Sequence, residues 1–234
     1  MNAVIEKELK QYLATPVGAV FLAAYFAFSG YYFTAGVLMP ARANLSGMFE
    51  SVFSVLMVLI PLLTMRSFAE ERKQKTDQLL MTSPKPLRSI VLGKFFSAGI
   101  LFNIGSISLI PPVAVLARLG SFDVLETAGN FLALVLVGAA FIAIGLFASA
   151  LTENQIVAAV VSYVIMLGLW LLDYVRYYIG EGLLSRMIEY LSFRAHFVLL
   201  GSGVFSLSTV VYFLSLVVVM LVFTCILIDY RRVR

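Results

Sequence analysis

The chain has 234 residues, 61% hydrophobic and 13% charged, and its 17 Lys and Arg against 13 Asp and Glu give a formal charge of +4. Soluble domains carry roughly 45–50% apolar and about 25% charged residues, and disordered chains are poorer still in apolar residues, so both classes are excluded and an integral membrane protein is left. One cysteine, Cys225, and one histidine, His196, exclude an intrachain disulfide and a His/Cys metal cluster.

Residues 1–15 are expected to form an interfacial helix, with Val4, Ile5, Leu9, Tyr12 and Leu13 at helical spacing and Pro16 where the chain turns into the membrane. Glu6 and Glu8 interrupt the basic residues and no short apolar core with a cleavage site follows, so the segment does not read as a signal peptide. A helix needs about 20 apolar residues to cross roughly 30 Å of hydrocarbon. Charge-poor intervals then place six spans at about 17–39, 47–65, 95–117, 127–152, 154–172 and 207–228. Pro61 is positioned to kink the second and Pro111-Pro112 the third. Small residues four apart (Ala139 and Ala143, Gly145 and Ser149, Ala158 and Ser162) permit close helix contact, by default within the chain.

An even number of spans puts both termini on one side. Assigning that side to the cytoplasm gives it twelve Lys and Arg, in residues 7–10, 66–94 and 231–234. Five remain outside: Arg42, Arg118, Arg176, Arg186 and Arg194. The positive-inside rule therefore orients the chain with N and C termini cytoplasmic. Trp170, Tyr174, Tyr177 and Tyr178 anchor the outer end of the fifth span.

Two segments outside the bilayer stand out. The cytoplasmic connection 66–94 opens with a charge-rich helix expected over 66–83, in which Glu71 and Lys75 are four apart and Phe68, Leu79 and Leu80 share a face; Pro84 and Pro86 stop it. It reads as a docking surface for another protein, with a solvated hairpin and an anionic-lipid surface as alternatives. The outer segment 173–206 alternates aromatic and aliphatic residues with charges, as two short amphipathic helices in the interface divided near 180–182, with His196 an interfacial side chain.

Catalytic chemistry is missing from this pattern. Gly93-Lys94 is followed by Phe95 and has no glycine five residues upstream, so it is no P-loop; no HExxH and no nucleophile–base pair occurs. The span interiors lack the carboxylates and histidines that ion-coupled carriers use. Energy for uphill transport would therefore have to arrive from outside the membrane, through the charged cytoplasmic helix.

Four stretches carry a family likeness: KELKQYLATPVGAVF, IPLLTMRSFAEERKQKTDQLLMTSPKPLRSIVLGKF, AIGLFASALTENQIVAA and YLSFRAHFVLLGSGVFSLSTVVYF. The chain resembles the ABC type-2 transporter permeases, the membrane subunits of ATP-binding-cassette exporters, and within them the gliding-motility type. The resemblance implies an all-α membrane protein of six transmembrane helices forming one permease domain over 1–234. It assigns Glu70, Glu71, Arg72, Lys73, Lys75, Thr76, Leu79 and Leu80 to a coupling helix that docks on an ATPase. Glu153 and Asn154, in the turn 152–155, form a second and smaller contact. Lys75 stands where many relatives have glycine before the threonine. The implied partners are a P-loop ABC ATPase, a second permease chain of the same or another kind, and membrane lipid, with no nucleic acid. The chain itself is non-catalytic and holds no cofactor; ATP and Mg belong to the ATPase. The implied location is the bacterial cytoplasmic (inner) membrane. The competing reading is a membrane anchor or assembly subunit of an ATPase-linked envelope machine that passes no solute.

Overall fold

A computed structural model of the chain describes residues 2–40, 44–75, 86–119, 123–179 and 190–232, together with 182 and 188. Among these residues the structure is helical, with no strand. Helix α1 is Asn2–Ala14, and α2 is Pro16–Phe33 with Pro in its first turn, continued by a π turn at Thr34–Leu38. Helix α3 is Ser46–Thr64, and α4, Arg66–Lys73, follows it after Met65. Next come α5 (Leu87–Ser106), α6 (Ile110–Leu119) and α7 (Val124–Leu151). Helices α8 (Gln155–Ile179), α9 (Phe193–Gly201) and α10 (Leu207–Arg232) complete the order. Six stretches are long and apolar enough to cross a membrane: Pro16–Leu38, Ser46–Lys73, Leu87–Arg118, Val124–Leu151, Gln155–Val175 and Leu207–Arg231. This is the all-α, six-span membrane protein that the sequence predicts.

Helix α7 is the centre of the bundle, with 72% of its most apolar window buried, against 22% or less for the spans of α2, α8 and α10. Its small residues are the reason. A Cβ added at Gly145 would overlap the Thr64 hydroxyl of α3, so glycine there sets how closely these two helices approach. The outer three spans turn large apolar side chains outward, among them Phe26, Tyr31, Val160, Val164, Leu171, Val218 and Ile226.

The third span is broken. Pro111 and Pro112 have no N–H to give the carbonyls of Ile107 and Ser108, and the chain passes through a 3-10 turn at Ile107–Leu109. Two side-chain bonds from α2 hold the break: Tyr25 Oη to Ser106 Oγ at 3.2 Å, and the Ser29 hydroxyl donating to Ser108 Oγ at 2.9 Å.

Helices α1, α4 and the close of α10 meet at one end of the bundle, called basal here. Arg231 Nη1 donates to Ala150 O at 2.6 Å and thereby caps the C-terminus of α7 there, where a cation opposes the helix dipole. At the distal end, α9 packs into the bundle, where the residue pattern alone predicts helices lying in the outer interface and the family resemblance implies re-entrant or interfacial ones. Phe193 packs on Phe141 near the middle of α7, with ring centroids 5.3 Å apart, while Asn130 near the start of α7 donates to Gly201 O at 2.9 Å. The helix thus runs antiparallel along the distal half of α7, because Phe193, Phe197 and Leu200 form one fully apolar face and are all buried. His196 goes with it and is buried, not interfacial. Its Nδ1 lies 3.2 Å from Thr209 Oγ1, its Nε2 lies 3.2 Å from Tyr190 O, and its ring stacks on Tyr212.

Candidate functional site: the basal charged face

The basal face is organised by Lys94, one of the largest fully enclosed side chains in the protein. An ammonium has three N–H donors. Lys94 Nζ has three acceptors in reach: Glu8 Oε1 of α1 at 2.9 Å, Glu71 Oε1 of α4 at 2.8 Å and the Ser67 carbonyl of α4 at 2.7 Å. It also sits 5.1 Å above the Phe68 ring. One cation on α5 therefore fastens α1 and α4 together. Tyr12 of α1 adds a bond to Ser67 Oγ at 3.1 Å, and burial pushes its phenol pKa up, so it remains neutral. Close approach of α1 to α5 depends on Gly93, where a Cβ would stand 2.7 Å from Val4 Cγ1.

The second link joins α4 to the turn before α8. Arg72 Nη2 donates to Glu153 Oε1 at 2.6 Å, across 81 residues of sequence. Beneath it Ser149 of α7 fixes the α3–α4 junction: its Oγ accepts from Phe68 N at 3.0 Å and Ala69 N at 3.1 Å, and donates to Met65 O at 3.0 Å. Asn154 caps α8, its Oδ1 accepting from Ile156 N at 2.9 Å. What results is a rigid charged surface, with α1, α4, α5, α7 and the 152–155 turn locked to one another. Among the described residues no three His, Cys, Asp or Glu gather as a metal site.

A family model of ABC-2 family transporter proteins matches residues 3–231, nearly the whole chain. The chain belongs to the ABC-2 transporter family. No curated protein matches it significantly. As a member, the protein is the multi-pass membrane permease component of an ABC transporter, of a kind that is typically non-catalytic, and membership implies association with an ABC ATPase.

The permease places its sequence-predicted coupling residues unevenly. Lys73, Lys75, Glu153 and Asn154 are exposed, and Glu70 is half-buried and accepts from Gln74 Nε2 at 3.3 Å. Glu71 turns inward to Lys94, and Arg72 is spent on Glu153, so both shape the surface from within. Thr76, Leu79 and Leu80 lie outside the described residues. The helix expected across 66–83 stops at Lys73: Gln74 N bonds Glu70 O, Lys75 N bonds Arg72 O, and Lys75 takes φ of 56°. That left-handed conformation ends an α-helix and is the one that glycine adopts at least cost. Glu8, Tyr12, Lys94 and Ser149 are functional candidates that sequence reasoning missed. Gly93 beside a lone lysine inside the third span's helix was the available signal.

Proposed function

We propose that this permease is half of the membrane part of an ATP-driven exporter, with its basal face in the cytoplasm and docked on the ATPase. One observation carries the reading. The Arg72–Glu153 bridge, 2.6 Å long, joins into a single surface the two segments, 81 residues apart, that the family resemblance assigns to ATPase contact. Lys73, Lys75 and Glu153 meet the ATPase from this surface, Glu70 borders it, and Glu71, Arg72 and Asn154 hold it in shape. Thr76, Leu79 and Leu80 complete the coupling segment. The enrichment of Lys and Arg in 66–94 supports the cytoplasmic assignment of this face in the bacterial inner membrane.

ATP and Mg act in the ATPase. Closure of the ATPase pair displaces α4, and because α4 follows α3 after one residue and is bridged to the start of α8, both helices move with it. The cargo path runs between two permease chains, identical or different, along the outward apolar faces of α2 and α8. Walls of Phe26, Tyr31, Val160 and Val164 suit lipid-linked or amphiphilic cargo over small ions; gliding motility is one of the processes such permeases serve.

The test is purification of the permease from native membranes in a gentle detergent, with Lys73→Cys and Glu153→Cys variants carrying a short thiol crosslinker. A stoichiometric P-loop ATPase crosslinked at both positions is expected, and a second six-span chain of different sequence identifies a mixed pair. If neither variant captures an ATPase and none co-purifies, the exporter reading fails and the anchor or assembly subunit takes its place.

A further inference from the structure

The two helices that adjoin the proposed ATPase contacts, α3 ahead of α4 and α8 after the 152–155 turn, are tied together again toward their distal ends. Arg194, on α9, donates from Nε and Nη2 to Glu50 Oε1 of α3 at 3.1 and 2.9 Å, and from Nη1 to Asp173 Oδ2 of α8 at 3.2 Å. Its guanidinium lies 5.6 Å from the Tyr174 ring centroid, and the Glu50 bond holds it firmly in the charged form. Arg194 is about a third exposed, so the bridge can open to water without stranding a buried charge. Helices α3 and α8 are thus tied near both ends: at the basal face through the segments next to them, Arg72 of α4 on Glu153 of the turn before α8, and toward the distal face by Arg194 on Glu50 and Asp173. Rigid helices pinned twice cannot diverge at one end while both pins hold.

We propose that Arg194 is the distal latch of the permease: a positioning residue that holds α3, α8 and the inserted helix α9 together in the closed exit and lets go when ATP-driven movement of α4 separates α3 from α8. This rests on the docking role of the basal face argued above. The latch sets the balance between closed and open exits. Its removal therefore lowers the work that the ATPase does against the membrane domain, and ATP turnover without cargo rises.

The experiment uses the permease purified with its ATPase and reconstituted in lipid nanodiscs, with basal ATP hydrolysis and thermal stability measured on the same samples. Arg194→Gln is expected to raise basal turnover about fivefold, the low end of coupling between distant sites. The pair Glu50→Gln with Asp173→Asn is expected to raise it as much, and combining the pair with Arg194→Gln to add nothing further. Arg194→Lys, which keeps the charge, should restore most of the wild-type rate. A destabilised fold would lower turnover and would not be rescued by lysine. Unchanged turnover in both Arg194→Gln and the Glu50/Asp173 pair, in a complex that Arg72→Glu does uncouple, overturns the latch and leaves the docking face standing. If Arg72→Glu changes nothing either, the docking reading has failed and the latch falls with it.

Discussion

Replacing Lys94 with methionine keeps an unbranched side chain one atom shorter and deletes the charge. Glu8 and Glu71, 6% and 16% exposed, are then left facing each other with only the exposed ammonium of Lys7, 3.9 Å from each, in place of the enclosed cation, and the Ser67 carbonyl loses its donor. Breaking a buried ion pair from one side costs about 3–5 kcal/mol, because the surviving charge stays desolvated. For a chain of this length that corresponds to a fall in Tm of about 10 °C. The triple variant Glu8→Gln, Lys94→Met, Glu71→Gln removes all three charges, and such replacements come out near neutral or better. The assay is thermal unfolding in detergent followed by intrinsic fluorescence, on wild type, single and triple variants. A single variant within about 1 °C of wild type, or a triple as unstable as the single, refutes the claim that Lys94 is held by those carboxylates.

Four further outcomes follow from other contacts. Arg72→Glu should lower Tm by no more than about 6 °C, since Glu153 is 62% exposed and water screens both the lost pair and the new repulsion to about 1 kcal/mol each, while uncoupling ATP hydrolysis in the purified complex; equal losses of stability and coupling would argue against a docking role. Gly145→Ala should destabilise by about 1–3 kcal/mol, measured in the same melts, and Thr64→Gly should recover most of it. Lys75→Val should lower stability by about 1 kcal/mol and Lys75→Gly should not, because a β-branched residue resists positive φ. In a Cys225→Ser background, Val204→Cys should react with an impermeant maleimide on intact cells and Lys73→Cys should not, and the reverse pattern overturns the orientation.

The spans are legible in the sequence because bilayer thickness imposes a length that no packing detail can alter, and the break at Pro111-Pro112 is legible because a missing N–H is a covalent fact. Lys94 is not. A lysine near the start of a span looks the same whether its head reaches water or is enclosed, and what encloses it here is Glu8, 86 residues away. Phe193, Phe197 and Leu200 have the spacing of an amphipathic helix, which serves equally to lie on a membrane or to insert along α7. The end of α4 at Lys73 was hidden by charges spaced for a longer helix, since nothing in a lysine at position 75 announces the positive φ that it takes two residues later. At the candidate site, the exposed residues were readable as charge and the ones that hold them in place were not.

The enclosure of α7 divides the permease into parts that answer to different pressures. Its packing partners fix the fold from inside the protomer, whereas the outward faces of α2 and α8 touch little of their own chain. Substitutions on those faces leave the interior intact. Such a protein can change its flank while keeping one unaltered frame, so on the cargo path proposed above a library confined to the outward positions of α2 and α8 is the economical route to variants with new cargo.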